Sequence, residues 1–283
     1  MQPIINWVAL RNLTQPARMH PPLKDAAREK EFASFYNKMA SMEKGYTPNQ
    51  VNALPLLPDD TLLDMGCGPG RLSVPLARHV KSVTALDVSE EVLKYCRKNA
   101  KAAGLNNLTT KNLDFDKIVA DKDIEKHDVV VCSRSVGLWN LEKLTTFAKR
   151  LTAVISFANA PTIPQLLLNI FDGTSAESEQ NPPFANYGKD RRINYNAIFN
   201  IVYDLGYEPN IRIVSDGFKK DFATKEEAYE DIRSLGKVDD DKMDTYRSHL
   251  DNYLAKNDSG GFTFFLETRT CVIWWENKPQ RFW

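Results

Sequence analysis

The sequence is short of cysteine, of histidine and of surplus charge of either sign, and each shortage removes a class of function. Cys67, Cys96, Cys132 and Cys271 are scattered, with no C-x-x-C pair. Neither a disulfide scaffold nor a zinc knuckle is expected from them; buried free thiols in a reducing compartment are. The four histidines form no H-x-x-x-H pattern and no His/Cys cluster, so no metal site is expected. Lys plus Arg and Asp plus Glu both number 37. Nucleic-acid binders carry a basic excess because phosphate contacts dominate their affinity, so the balance argues against RNA or DNA as partner. The basic spots Arg191-Arg192 and Lys219-Lys220 are too small to change that. No apolar run is long enough to span a bilayer. The start, Met1-Gln2-Pro3-Ile4-Ile5-Asn6-Trp7, lacks the basic and long apolar regions of a signal peptide. A cytoplasmic protein without a membrane partner is the expectation.

What the sequence has is a strand, a glycine-rich turn and a helical pattern in direct succession. Leu62-Leu63-Asp64-Met65-Gly66-Cys67-Gly68-Pro69-Gly70-Arg71 is an apolar strand ending in an acid, then a turn whose glycines reach backbone angles closed to side chains. A helical pattern runs on from Arg71 to His79, its free N–H groups facing the turn. This is a nucleotide-type site at the carboxyl end of a strand. A nicotinamide or flavin site would read G-x-G-x-x-G; here the spacing is G-x-G-x-G.

The elements that follow form a ladder. Ser82 to Asp87 is a short strand ending in an acid, about 20 residues past the turn, where a carboxylate can hold two ribose hydroxyls. Ser89 is placed as an N-cap with Glu90 and Glu91 in the first turn of a helix that runs to Ala103, with Gly104 as its stop. Leu108 to Leu113, Asp128 to Ser133 and Ala153 to Phe157 are the third, fourth and fifth strands. Taken alone, Asp87 or Asp114 reads equally well as a capped strand end. Acids after three successive strands, all at the ligand edge of an open α/β sheet, point to a site.

Asp64, the G-x-G-x-G turn and this ladder, over Leu62 to Phe157, resemble the class I S-adenosylmethionine (AdoMet) methyltransferases, in their broad small-molecule branch and without pointing to one subfamily. The resemblance implies a Rossmann-like α/β fold with a seven-stranded, mostly parallel sheet and helices on both faces. It implies AdoMet as cofactor and S-adenosylhomocysteine as product. It places Asp64, Gly66, Cys67, Gly68 and Gly70 at the cofactor, Asp87 on the ribose, Val88 on the adenine face, Asp114 at the adenine amino group and Phe115 beside the ring. The loop Ser133-Arg134-Ser135-Val136-Gly137-Leu138-Trp139-Asn140 would meet the methionine end, bringing in Ser133 and Arg134.

Around this core the sequence predicts a helical N-terminal arm or lid (1–58), a cofactor-binding core (59–216), a helical insertion between strands six and seven (217–261), and a last strand with a tail (262–283). Leu23 to Met42 carries Phe32, Phe35, Tyr36 and Met39 at helical spacing. Thr47-Pro48 reads as an N-cap with Pro at N1. Pro161 to Phe171 and Asn194 to Leu205 read as helices, Ile211 to Val214 as the sixth strand, Thr224 and Glu227 as a capping box, Asp241 to Lys256 as a helix, and Thr268 to Trp275 as the seventh strand. Tyr36, Trp139, Asn159 and Phe218 are candidate pocket residues. His20 and His249 are the only histidines placed where a general base could act; His79 and His127 fall at the wrong end of the strands. Asn181-Pro182-Pro183-Phe184 matches a box that holds exocyclic amino groups, but it stands after the fifth strand instead of the fourth. The expected activity is methyl transfer to a small molecule, the alternatives being an RNA or protein methyltransferase or a non-catalytic AdoMet-binding protein. Monomer and homodimer both stay open.

Overall fold

The computed structural model describes residues 5–14, 25–158, 161–176 and 195–278. The arm supplies α1 (Trp7–Thr14), α2 (Ala26–Met42) and α3 (Thr47–Val51). The core follows as β1 (Thr61–Met65), α4 (Ser73–Leu76), β2 (Ser82–Asp87), α5 (Glu90–Ala102), β3 (Leu108–Asn112), β4 (His127–Ser133), α6 (Leu141–Thr145) and β5 (Ala148–Phe157). Then come α7 (Ile163–Phe171), α8 (Tyr195–Asp204), β6 (Asn210–Phe222), α9 (Lys225–Arg233), α10 (Met243–Asp251), β7 (Leu254–Lys256) and β8 (Phe262–Glu276).

Seven strands run in the order β3-β2-β1-β4-β5-β8-β6, and the short β7 pairs with β8 off that path. The pairings from β3 to β5 are parallel, whereas β8 is antiparallel to both β5 and β6. Strand order reverses between β1 and β4, so the crevice beyond their carboxyl ends is the place where open α/β sheets take ligands. Successive side chains of the central strands go to opposite faces. Leu62, Val129, Val131 and Ala153 join one core with Val51 and Leu76, while Leu63, Val130, Cys132 and Val154 join the other with Leu144 and Ile198. Burial on both faces explains the unbroken apolar runs of these strands.

Helix starts are largely written locally. Asp25 accepts a hydrogen bond from the Ala27 N–H, Ser89 from that of Val92, and Thr224 from that of Glu227. Thr162 and Gln165 form a reciprocal capping box. Thr47 departs from its expected role. Its hydroxyl donates to the Glu43 carbonyl at 3.0 Å, and it is the first helical residue instead of the cap.

Three further expectations are corrected. The helix after the glycine turn is a single turn, Ser73–Leu76, flanked by turns, not a helix from Arg71 to His79. The expected helix Asp241 to Lys256 stops at Asp251, and 254–256 pair with β8 as β7. The outer strands are much longer than Ile211–Val214 and Thr268–Trp275, so residue 217 lies within β6 instead of opening an insertion. The hairpin pairs from Asn210–Trp274 to Phe222–Phe262, but β5 reaches only to Thr270 of β8. The overhang is stabilised by a second apolar core of Phe218, Phe222, Phe264 and Leu266 against Ile170, Ile232 and Leu250 from α7, α9 and α10. A fully buried aromatic contributes about 1.5–3 kcal/mol. Periodicity within one strand cannot announce a partner that arrives forty residues later.

Candidate active site

The site is assembled at the carboxyl ends of β1, β2 and β4. The Gly66 and Cys67 N–H groups both donate to the Leu86 carbonyl, at 2.8 and 2.9 Å, which pins the turn to β2. Asp87 ends β2 and clamps two loops at once, accepting from the Gly68 N–H and the Ser89 N–H at 3.0 Å each. Val88 beside it is 65% exposed.

Two glycines are needed here for protein contacts. At Gly66 (φ +74°) a Cβ would lie 1.9 Å from Ser135 Oγ, so the turn and the loop after β4 touch. At Gly68 (φ +57°) a Cβ would lie 2.8 Å from Cε1 of Tyr36. Tyr36 thus roofs the turn. α2 is held there by Ser89 Oγ donating to Glu29 at 2.7 Å and by Asn99 donating to Asn37 at 2.9 Å. On its other side Lys38 pairs with Asp231 of α9 at 3.0 Å, which joins the arm to the hairpin extension.

Asp64 is buried beneath the turn, where its carboxylate accepts from Ser73 Oγ at 2.5 Å. Burial pushes its pKa up to about 6, against the pull of Ser73 and Arg71. That contact is with the turn's own support, so Asp64 shapes the turn from below. Cys67 is likewise buried, and its thiol is raised well above the ordinary range by a hydrogen bond with Cys96 and by burial.

A cluster of charges lies between the glycine turn, the loop after β4 and β6. Arg71 donates to Gln50 at 2.8 Å and Ser133 Oγ at 2.5 Å, and pairs with Glu43 at 3.2 Å. Arg134, in the left-handed region at φ +49°, pairs with Glu43 at 2.9 Å and with Asp216. It also donates to Thr270 at 3.0 Å and lies 4.0 Å over the Phe157 ring. Burial opposes the Arg134 charge, but the Asp216 and Glu43 carboxylates outweigh it and hold the proton more firmly than usual. Burial alone would raise Asp216; Arg134 and Arg71 instead hold it below the usual carboxylate range. The Tyr36 phenol stands among Arg71, Glu43, Asp87 and Arg134, and burial pushes it up to about 12.

Asp114 accepts from the Asp116 N–H at 3.0 Å and pairs with Lys117 at 3.2 Å. Phe115 is corrected: its ring is buried in the core, 6.1 Å from that of Phe147, so the side chain belongs to the core and not beside an adenine. Phe218 is fully buried inside the hairpin extension and lines no pocket. Trp139 sits against α1, with the Arg11 guanidinium 5.4 Å over its ring. His249 lies on α10 in the extension. His20, Asn159 and the Asn181–Phe184 box lie outside the described residues. Sequence reasoning did not single out Glu43, Gln50, Ser73, Arg71 or Asp216. Only Arg71 carried a local signal, standing directly after the glycine turn.

The strand order and the glycine turn define a Rossmann-like fold with its crevice at the β1/β4 switch point. Residues 62–156 match the family described as a methyltransferase domain. A Haemophilus influenzae protein of uncharacterised function is 26% identical over 268 residues, 90% of this chain and 89% of that one. The 23S rRNA (uracil(1939)-C(5))-methyltransferase RlmD of Photobacterium angustum is 38% identical over 85 residues, which cover 25% of this chain and 39% of that enzyme. A Bacillus halodurans structure described provisionally as a methyltransferase shares the fold at 14% identity, with a TM-score of 0.50 over 82% of this chain and 98% of that one. Residues 62–156 therefore form a methyltransferase domain, with AdoMet as its cofactor. The residues present suit that group. A carboxylate ends β2, a glycine turn is pinned beside it, and a buried Arg134 N–H stands without a partner near the other end. Among the described residues, no helix is long and apolar enough to cross a membrane.

Proposed function

We propose that the chain methylates a small-molecule acceptor by in-line displacement, with the arm and the hairpin extension forming the walls that choose it. One observation carries this reading: the buried Glu43–Arg134–Asp216 bridge ties the arm to β6 across the ligand edge of the sheet. A wall tied across that edge suits a small acceptor, whereas a long RNA needs an open basic groove. The cluster's two arginines are compensated by two carboxylates, leaving no cationic track there. The likeness to the rRNA enzyme spans a quarter of this chain, too little to carry its acceptor across.

The bound cofactor supplies an electrophilic methyl on a positive sulfur. Asp87 would hold the ribose hydroxyls and Asp114 the adenine amino group. The turn and the 134–138 loop would orient the methionine end. The rate then comes chiefly from holding an acceptor lone pair in line and excluding water. A phenol at about 12 stays protonated at neutral pH, so Tyr36 serves as a neutral donor and wall and not as a base. The acceptor brings its own lone pair.

Labelled AdoMet incubated with the protein and either a metabolite extract or total RNA tests this. Label is expected in the low-mass fraction; label in RNA alone would replace the small-molecule reading with the nucleic-acid one.

A further inference from the structure

The glycine turn rests on two sulfur atoms. Cys67 lies within the turn, and Cys96 faces it from the middle of α5; with Ala85 and Leu93 they form a small buried core of their own. The two thiols share a hydrogen bond, and Cys67 Sγ also donates to the Gly68 carbonyl at 3.4 Å. A Cβ at Gly70 would lie 2.9 Å from Cys96 Sγ, so the same sulfur is pressed against the far end of the turn. The other two cysteines are arranged differently. Cys271 Sγ donates to the Ser156 carbonyl at 3.3 Å, and that of Cys132 lies against Gly137. We propose that Cys67 and Cys96 form a reversible disulfide beneath the cofactor turn, closed by a low-molecular-weight disulfide such as oxidised glutathione, and that closing it weakens the hold on AdoMet.

The more accessible thiol reacts first. Cys67 is 6% exposed and Cys96 0%, so the Cys67 thiolate attacks the reagent and displaces a first thiol. Cys96 then attacks the Cys67 sulfur and displaces the second. Two S–H bonds break and one S–S bond forms; the reagent takes up the two electrons and two protons and leaves as two thiols. In the closed turn this is slow, because the bond with Cys96 and burial hold the proton on Cys67, and a buried thiol is inert. Local opening of the turn exposes the pair. A disulfide is about 2.05 Å long, well inside the separation of two hydrogen-bonded thiols, so closure draws Cys67 toward α5. The Cys67 N–H is held by Leu86 and the Gly68 N–H by Asp87, and both bonds must give as the turn moves. Coupling is reciprocal: a link that weakens the ligand is itself disfavoured by the ligand. The empty protein is therefore the oxidisable one.

The test exposes the protein to oxidised glutathione with and without S-adenosylhomocysteine and reads the products by peptide mass under non-reducing conditions. A linked Cys67–Cys96 peptide pair, two hydrogens lighter than the free peptides together, is expected from the empty protein and much less of it from the loaded one. Calorimetry follows on protein whose intact mass shows the link and no glutathione adduct. Its S-adenosylhomocysteine affinity should be weaker by about tenfold or more, and dithiothreitol should restore it. Glutathione adducts or free thiols in place of the link, equal yields of link with and without ligand, or a linked protein that binds as tightly as the reduced one each overturn the proposal and leave the cofactor untouched. A reduced protein that binds no S-adenosylhomocysteine overturns both.

Discussion

The ring of Tyr36, from the N-terminal arm, lies on Gly68 of the glycine turn so closely that a Cβ at 68 would come within 2.8 Å of it. The Gly68 N–H is at the same time bonded to Asp87. One residue of the turn therefore registers both the arm and Asp87, so the docking of the arm and the shape of the turn are linked through it.

Gly68→Ala should accordingly disturb both. A non-glycine residue at φ +57° costs about 1–3 kcal/mol, and the new methyl must push Tyr36 aside. A lowered melting temperature and weaker S-adenosylhomocysteine binding are expected. Adding Tyr36→Ala should recover part of the binding by relieving the clash, but not the backbone strain. Melting curves and calorimetry on the single and double variants check this.

Asp87→Ala should weaken cofactor binding far more than Asp116→Ala. Asp87 offers charge-assisted hydrogen bonds at the end of β2, each worth about 1.5–3 kcal/mol, or roughly ten- to hundredfold in affinity. The Asp116 backbone meets Asp114 and Lys143 outside that crevice. Equal dissociation constants for the two variants would remove Asp87 from the ribose.

Asp64 sets a pH dependence of stability. Its folded pKa of about 6 stands above the unfolded carboxyl value, so between about pH 4 and 6 the folded state holds a proton the unfolded chain has released. Stability from this group therefore falls as pH rises through that window, by about 1.4 kcal/mol per unit, and is flat above it. Asp64→Asn should abolish the slope. Denaturant unfolding of both proteins from pH 4 to 7 measures the difference.

Phe218→Ala should destabilise by about 3–5 kcal/mol, the cost of a large cavity in a packed core. Phe218 belongs to the extension's interior, so S-adenosylhomocysteine affinity should stay within about threefold at temperatures where the variant is folded. An unaltered melting temperature would contradict its burial.

The pattern of strand ends and helix caps along β1 to β5 was legible in the sequence because it is local. Asp64, the glycines, Asp87, Ser89 and Asp114 each follow a strand or open a helix within a few residues, and strand-end acids and caps depend on near neighbours. The parallel core could be ordered from five apolar runs for the same reason. Phe115 was misread because a strand-end aromatic has two destinations, core or ligand, and its own segment does not distinguish them. The length of the outer hairpin was hidden, since β6 and β8 stabilise each other across forty residues of chain.

The sequence by itself therefore determined the class of fold and the cofactor, through patterns set by short-range backbone geometry. Tertiary structure alone decided the charge cluster. Glu43, Arg71, Arg134 and Asp216 come from four separate segments, and none of those segments announces the other three. They become a cluster only when packing buries them together, because a buried charge must find its partner wherever the fold brings one.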